Sequence, residues 1–180
     1  MKRVLAVVCC TAVIQLGCSD PISVQSPTES AAGDLAIEEF AAVLTKNGAS
    51  GKVKAPAADL EVEILESNSD FINHIYLVSP GPDLFIGTDD DWGTVVALPS
   101  VRRNEELIFE IRVHDPSNVD TGVRWQTGPP SRNSDHQFHA QVEYQTDGSI
   151  KVSFEDVDAS SWGVGDEPNY LDAIFVVRES

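Results

Sequence analysis

Oxygen-bearing side chains concentrate near the carboxyl-terminal end of the chain. Glu155 and Asp156 end an alternating segment, and Asp166, Asn169 and Asp172 follow at intervals of three. Calcium is a hard cation that takes roughly six to eight oxygen ligands, mostly from carboxylates, carbonyls and water. A curled loop with this spacing can aim its side chains inward, so these five residues form a candidate calcium site. The alternative is a solvated acidic loop in which Asp and Asn form turns.

Two other groups of residues could contact an ion or a ligand. Asp89 to Asp91 form a second acidic run, but such runs before a glycine are usually exposed turns, and we favour that interpretation over a second calcium site. Trp92, Trp125 and Trp162 fall in or beside loops, where exposed tryptophans stack on sugars or anchor interfaces. Core packing is the commoner role of such residues.

The sequence offers little for catalysis. It has no Gly-x-Ser-x-Gly, no HExxH and no glycine-rich phosphate loop. His114, His136 and His139 lack acid partners at zinc-ligand spacing. A carboxylate pair could serve a glycoside hydrolase, yet 29 acidic residues make such a pair expected by chance. We therefore predict a protein that is not an enzyme.

The first residues are typical of export. Lys2 and Arg3 precede an apolar run from Val4 to Ile14, which predicts a secretory signal peptide over residues 1–17. The run is shorter than the ~20 residues that a membrane-spanning helix needs.

Cys18 is the predicted site of lipidation. Leu16-Gly17-Cys18 resembles a bacterial lipobox, although Gln15 departs from its usual aliphatic residue; the alternative is a plain cleaved signal. We expect a lipoprotein of the bacterial cell envelope, at the outer membrane or facing the periplasm, that meets the membrane through its lipid alone. The chain has no cysteine after Cys18, so no disulfide is expected in the exported domain.

The net charge narrows the choice of partners. It is −17, and it becomes −19 when Lys2 and Arg3 leave with the signal. Such a surface repels nucleic acid and anionic lipid and favours cations. We expect no nucleic-acid partner.

Composition and the spacing of apolar residues divide the rest of the chain into three regions. Residues 18–33 are rich in Ser, Pro, Thr and Ala and predict a flexible tether. Residues 34–58 predict a short helix, with apolar residues at helical spacing over 34–46, followed by a small, polar linker over 49–58. From residue 59 to 180 the apolar period changes to two, which indicates antiparallel strands.

About nine strands are predicted in this last region. They lie near residues 60–64, 74–79, 83–87, 94–98, 107–114, 122–126, 138–144, 150–155 and 173–177. Their number and spacing predict an all-β protein with an antiparallel β-sandwich, jelly-roll-like or immunoglobulin-like. Residues 173–177 are apolar on both faces, which is typical of a central strand.

The hairpin around residues 146–148 can be placed in register. A two-residue turn would pair core positions with exposed ones, whereas a three-residue loop pairs Tyr144 with Ile150 and continues toward residues 140 and 154. The same register pairs His139 with Glu155 on the exposed face. His139 could orient a metal-binding Glu155 through a hydrogen bond, without contacting the ion itself. The alternative, which we favour, is a simple cross-strand polar pair.

Four phrases in this order carry a resemblance to a known group of proteins. They are TGPPSRNSD (127–135), HAQV (139–142), FEDV (154–157) and the acidic segment 166–175. The chain resembles the exported bacterial "choice-of-anchor" domains of unknown function, which carry phrases like TGPxSRNxDxxxHAxV, GFEDL and GGDxDYNDxxF. The resemblance covers roughly the last two-thirds of the chain.

The resemblance implies a β-sandwich with a calcium site. Asp166 and Asp172 match acids of the family phrase, and Asn169 matches in position only. One residue is inserted between Asp166 and Asn169, and Leu171 replaces an amide. We therefore expect a lipoprotein with a binding or scaffolding domain that calcium stabilises, toward an unknown protein or glycan partner. A carbohydrate-binding or surface-adhesion module that uses the tryptophans is the alternative, and a glycan hydrolase is a third, disfavoured one.

Overall fold

The computed structural model describes residues 51–161 and 168–180 of the chain. The predicted signal peptide, Cys18, the tether and the predicted helix lie outside the described residues, as do Trp162 and Asp166. No helix in the part of the chain that is described is long and apolar enough to cross a membrane.

Two antiparallel sheets pack face to face as a β-sandwich, which confirms the predicted fold class. The described strands are β1 (Val53–Lys54), β2 (Leu60–Leu65), β3 (Ile72–Ser79), β4 (Leu84–Thr88), β5 (Val95–Ala97), β6 (Glu106–His114), β7 (Asp120–Gln126), β8 (Ala140–Tyr144), β9 (Ile150–Phe154) and β10 (Ala173–Glu179). Two single-turn 3₁₀ helices, Pro130–Arg132 and Ala159–Ser161, lie in the connections.

Each sheet contains five strands. In sheet I, β6 pairs with β1, β3 and β7, and β4 pairs with the other side of β3. Sheet II has the order β5-β2-β10-β9-β8. The strand over residues 173–177 is central in sheet II, as its two apolar faces predict.

The core lies between the inner faces of the sheets. Alternate residues of each strand point inward, so that Ile75 and Phe109 of sheet I and Val62 and Phe175 of sheet II are fully buried. The rings of Phe109 and Phe175 meet across the sandwich with centroids 4.8 Å apart. Burial of this apolar surface is the main force that holds the sheets together.

The predicted hairpin register is confirmed. Tyr144 pairs with Ile150, and the ladder continues to Ala140 and Phe154. Gly148 has a φ of 86°, the left-handed conformation that the three-residue loop requires. The prediction is wrong in one respect, because His139 and Glu155 are both buried rather than exposed.

The linker predicted over residues 49–58 is wrong at Val53 and Lys54, which form β1. Val53 is fully buried and pairs with Leu107. The Tyr144 hydroxyl secures this segment from sheet II, because it accepts a hydrogen bond from the Lys54 N–H at 2.9 Å and donates one to a neighbouring carbonyl. A two-residue strand is too short to show a period in the sequence.

Candidate metal centre

The junction of β9 and β10 brings three acidic residues together. Glu155 and Asp156 follow β9 directly, and Asp172 directly precedes β10. The two strands are antiparallel neighbours, with Phe154 opposite Ala173. The Asp172 N–H donates to the Phe154 carbonyl at 3.0 Å, which extends the ladder into this junction. Strand pairing therefore joins residues that are 16 or more positions apart in sequence.

One carboxylate oxygen from each of Glu155, Asp156 and Asp172 lies within 4.8 Å of the other two. All three residues are buried, with relative exposures of 5, 5 and 7%. They line a pocket of about 240 Å³ together with Asn68, Asp70, Phe71, Val157 and Asn169. We call this the acidic pocket.

Hydrogen bonds orient the three carboxylates. Glu155 accepts the backbone N–H of Asn169 at 3.0 Å, and Asp172 accepts the backbone N–H of Asp156 at 2.9 Å. Asp156 accepts the hydroxyl of Ser69 at 2.6 Å. These neutral donors hold the side chains in place but supply no positive charge.

Full ionisation of all three carboxylates in the acidic pocket is electrostatically unfavourable. Burial, followed by the nearby charges of Asp156 and Glu155, raises the pKa of Asp172 to about 8. Among the described residues, no lysine or arginine forms an ion pair with any of the three carboxylates. A bound cation would supply the missing positive charge.

Sheet I contributes an asparagine that the sequence analysis missed. Asn73 is fully buried, and its Nδ2 lies 2.9 Å from Asp156 Oδ2, 3.1 Å from Asp89 Oδ2, 3.2 Å from Ser69 Oγ and 3.3 Å from the Asp172 carbonyl. An amide has two N–H groups, so these four acceptors compete for them. Its Oδ1 is buried without a hydrogen-bond partner. Asn73 shares the inward face of β3 with the apolar residues at 75 and 77. A polar residue at an inward position of a strand was the sequence feature that could have identified it.

The predicted exposed turn at Asp89 to Asp91 is wrong for Asp89. Asp89 is 3% exposed and accepts the Asn73 backbone N–H at 2.8 Å. Burial raises its pKa to about 6. The run nevertheless forms a turn, since the Asp91 N–H donates to the Thr88 carbonyl at 3.0 Å and Asp90 is exposed.

An aromatic clamp fixes the backbone behind the acidic pocket. The Trp125 indole N–H donates to the Asp156 carbonyl at 2.8 Å, and the ring of His139 stacks on the indole at 3.6 Å. His139 Nδ1 lies 3.2 Å from the Glu155 carbonyl, and its Nε2 lies 2.8 Å from Asp135. His139 therefore contacts the backbone of a pocket residue. This arrangement corrects the prediction for Trp125, which is buried at 1% exposure rather than projecting from a loop.

The remaining predicted residues are placed as follows. Asn169 lines the acidic pocket, but its side-chain oxygen accepts the Leu171 N–H at 2.9 Å and so holds a turn. Trp92 is 54% exposed and can be contacted from solvent. Three of the five predicted ligands thus converge, one lies at the pocket wall, and Asp166 is outside the described residues.

The fold and the site together define a class: an antiparallel β-sandwich with a buried acidic pocket between its sheets. Comparison of the chain with protein-family models, curated proteins and solved structures found no match. The resemblance to choice-of-anchor domains therefore stays a prediction.

Proposed function

We propose that the protein is an exported lipoprotein whose β-sandwich acts by binding or scaffolding and is stabilised by a calcium ion in the acidic pocket. The observation that carries the proposal is the convergence of Glu155, Asp156 and Asp172. Their oxygens lie within 4.8 Å of one another, are buried, and have no lysine or arginine partner among the described residues.

The ligand chemistry favours calcium over other metals. Glu155, Asp156 and Asp172 offer only oxygen, which suits hard cations, whereas zinc and copper prefer nitrogen and sulfur. The pocket of about 240 Å³ has room for water molecules to complete the coordination. Magnesium demands a tighter octahedral geometry and gives up water reluctantly, so an irregular carboxylate set suits it less well.

The expected role of the ion is structural. Two of its ligands follow β9 and the third precedes β10, and Asn73 of sheet I contacts the same cluster. A cation would relieve the repulsion among the carboxylates and tie the segments around it into one unit. The residues between Asp156 and Asp172 would be held at both ends.

The test is a thermal melt of the purified protein in EDTA and in millimolar calcium. A ligand that binds only the native state at 100 times its dissociation constant adds about 2.7 kcal/mol, and we expect a matching rise in the midpoint. The rise should disappear in Asp172→Ala, remain in the control Asp90→Asn at an exposed acid, and be smaller with magnesium. A midpoint that calcium leaves unchanged in the unaltered protein would refute the metal proposal.

The lipid anchor is supported by the sequence around Cys18 alone and has its own test. Cells that express the protein can be labelled with radioactive palmitate. We expect label in the unaltered protein, no label in Cys18→Ala, and release of that variant from the membrane fraction. An unaltered protein that carries no label and is absent from the membrane fraction would show that the signal is cleaved without lipidation.

A further inference from the structure

The connection between β2 and β3, residues 66–71, forms one wall of the acidic pocket. It joins the two sheets, because β2 belongs to sheet II and β3 to sheet I. Asn68, Asp70 and Phe71 of this connection line the pocket together with its three buried carboxylates. Asp70 is exposed, so it lies at the solvent end of the pocket.

Hydrogen bonds hold this connection against the β9–β10 junction. The Asn68 N–H donates to the Leu171 carbonyl at 2.7 Å. The Ser69 hydroxyl donates to Asp156 Oδ2 at 2.6 Å and accepts the backbone N–H two residues further on at 2.9 Å. Asp70 lies between the two ends of this last bond. Its backbone is therefore fixed beside a carboxylate of the pocket.

The carboxylate of Asp70 has no partner of its own. Within residues 51–161 and 168–180, no group forms a hydrogen bond or an ion pair with it. No described lysine or arginine lines the acidic pocket either. Four carboxylates thus line one space without a positive side chain, which costs free energy unless a cation balances them.

A buried oxygen without a partner lies beside the same carboxylates. Asn73 Oδ1 is fully buried and has no hydrogen-bond partner in the described part of the chain. The Nδ2 of the same amide lies 2.9 Å from Asp156 Oδ2 and 3.3 Å from the Asp172 carbonyl. Buried polar atoms are nearly always paired. This oxygen therefore points to a cation, or a water bound to one, independently of the number of acids.

Calcium needs more oxygen ligands than the three buried residues bring together. It takes roughly six to eight, and one oxygen from each of Glu155, Asp156 and Asp172 converges. Calcium sites gain affinity from additional charged ligands, whereas magnesium keeps several waters and uses only one or two carboxylates. A further carboxylate at the solvent end of the pocket therefore favours calcium.

We propose that Asp70 is the fourth carboxylate ligand of the cation in the acidic pocket, and that the bound ion fastens the β2–β3 connection to the β9–β10 junction. This inference rests on the proposed calcium site and adds a regulated element to it. Because residues 66–71 join the two sheets, the calcium concentration controls how firmly this connection is held.

The test is isothermal titration of the purified protein with calcium and, separately, with magnesium. Asp70→Asn should weaken calcium binding by roughly ten- to a hundredfold, the usual effect of losing a group that holds a metal. Its magnesium binding should change much less, because magnesium uses fewer protein ligands.

Glu66→Gln is the matched control. Glu66 is an exposed acid of the same connection that does not line the acidic pocket, so this variant removes the same charge from nearly the same place. At physiological salt, screening limits the effect of such a charge. Calcium binding should therefore change by less than about twofold.

Hydrogen–deuterium exchange measures the fastening itself. Saturating calcium should slow amide exchange over residues 66–71 and over Glu155 and Asp156 in the unaltered protein. In Asp70→Asn at saturating calcium, the slowing over residues 66–71 should be lost and that over Glu155 and Asp156 should remain.

Failure of this inference differs from failure of the calcium site. No calcium binding by the unaltered protein refutes the site, and the role of Asp70 with it. Calcium binding that Asp172→Ala abolishes, but that Asp70→Asn weakens no more than Glu66→Gln, overturns the role of Asp70 and leaves the site standing. Exchange over residues 66–71 that calcium slows equally in Asp70→Asn overturns it as well.

Discussion

Replacing Asp172 with Asn should stabilise the protein in the absence of calcium and destabilise it in the presence of calcium. Asn keeps an oxygen that can accept the Asp156 N–H, a bond of 2.9 Å in the structure. It cannot ionise, so the repulsion from Glu155 and Asp156 disappears. It also removes one negative charge from the proposed ion site.

The size of the effect follows from the pKa of Asp172. The value is raised from 3.8 to about 8 in the folded protein, so the folded state keeps a proton that the unfolded state releases. The stability that this group contributes is fully present below about pH 4 and is lost as pH rises to about 8. The whole shift corresponds to an upper limit of about 5–6 kcal/mol. Asp172 is itself buried, but it lines a pocket that reaches the surface, so solvent screening reduces the expected effect to about 2–3 kcal/mol.

The assay is urea denaturation of both proteins in EDTA at several pH values between 4 and 9. The two proteins should be equally stable near pH 4, where Asp172 is protonated and resembles Asn. Above pH 8 the variant should be more stable by about 2–3 kcal/mol, or roughly 10 °C in a melt of a domain of this size. In calcium at pH 8 the order should reverse. The control is Asp90→Asn, which should follow the unaltered protein throughout.

One result would refute this reasoning directly. If the stability difference between Asp172→Asn and the unaltered protein does not change between pH 4 and 9 in EDTA, then Asp172 titrates normally. The three carboxylates would then be solvated and apart in solution, and the electrostatic argument for a cation would fall with them.

Two further predictions concern the groups around the acidic pocket. Asn73→Ala should lower the free energy of unfolding by about 2–3 kcal/mol, because buried Asp89 and Asp156 lose a donor; urea denaturation measures the loss, and an unchanged value would contradict the bridging role. Trp125→Phe should cost about 2 kcal/mol, because the buried Asp156 carbonyl loses its partner. In that variant calcium titrations should show weaker binding, whereas equal affinity would show that the clamp does not position the pocket.

Most of the strands could be predicted from the sequence because the alternation that marks a strand is visible within a few consecutive residues. A half-buried strand alternates apolar and polar residues, and each of the nine predicted segments overlaps a strand of the structure. The hairpin register followed from the requirement that Tyr144 and Ile150 share a face. β1 was missed because its two residues gain their order from Leu107 and the Tyr144 hydroxyl, which are distant in sequence.

The site could be predicted only in part, because it draws on both sheets. Acidic composition indicated the residues at the β9–β10 junction, where sequence neighbours and paired strands coincide. Asn73 and Asp89 come from sheet I, and nothing local distinguishes Asp89 from the exposed Asp90 beside it. Its burial depends on hydrogen bonds to Asn73 of the neighbouring strand, at the end of the β3–β4 ladder that is distant from their connecting turn. Likewise, the spacing around Trp125 could not show that its indole faces the core.

The position of the acidic pocket explains how a chain without cysteine after Cys18 could be reinforced without a disulfide. A disulfide joins two points permanently, whereas a cation among Glu155, Asp156 and Asp172 would join them only where it is available. Without the ion, stability falls as pH rises, because Asp172 must give up its proton in a negative environment. With the ion, that same deprotonation creates a ligand, so the gain from calcium should grow with pH up to about 8 and then level off. A simple solvated acidic loop would show neither dependence.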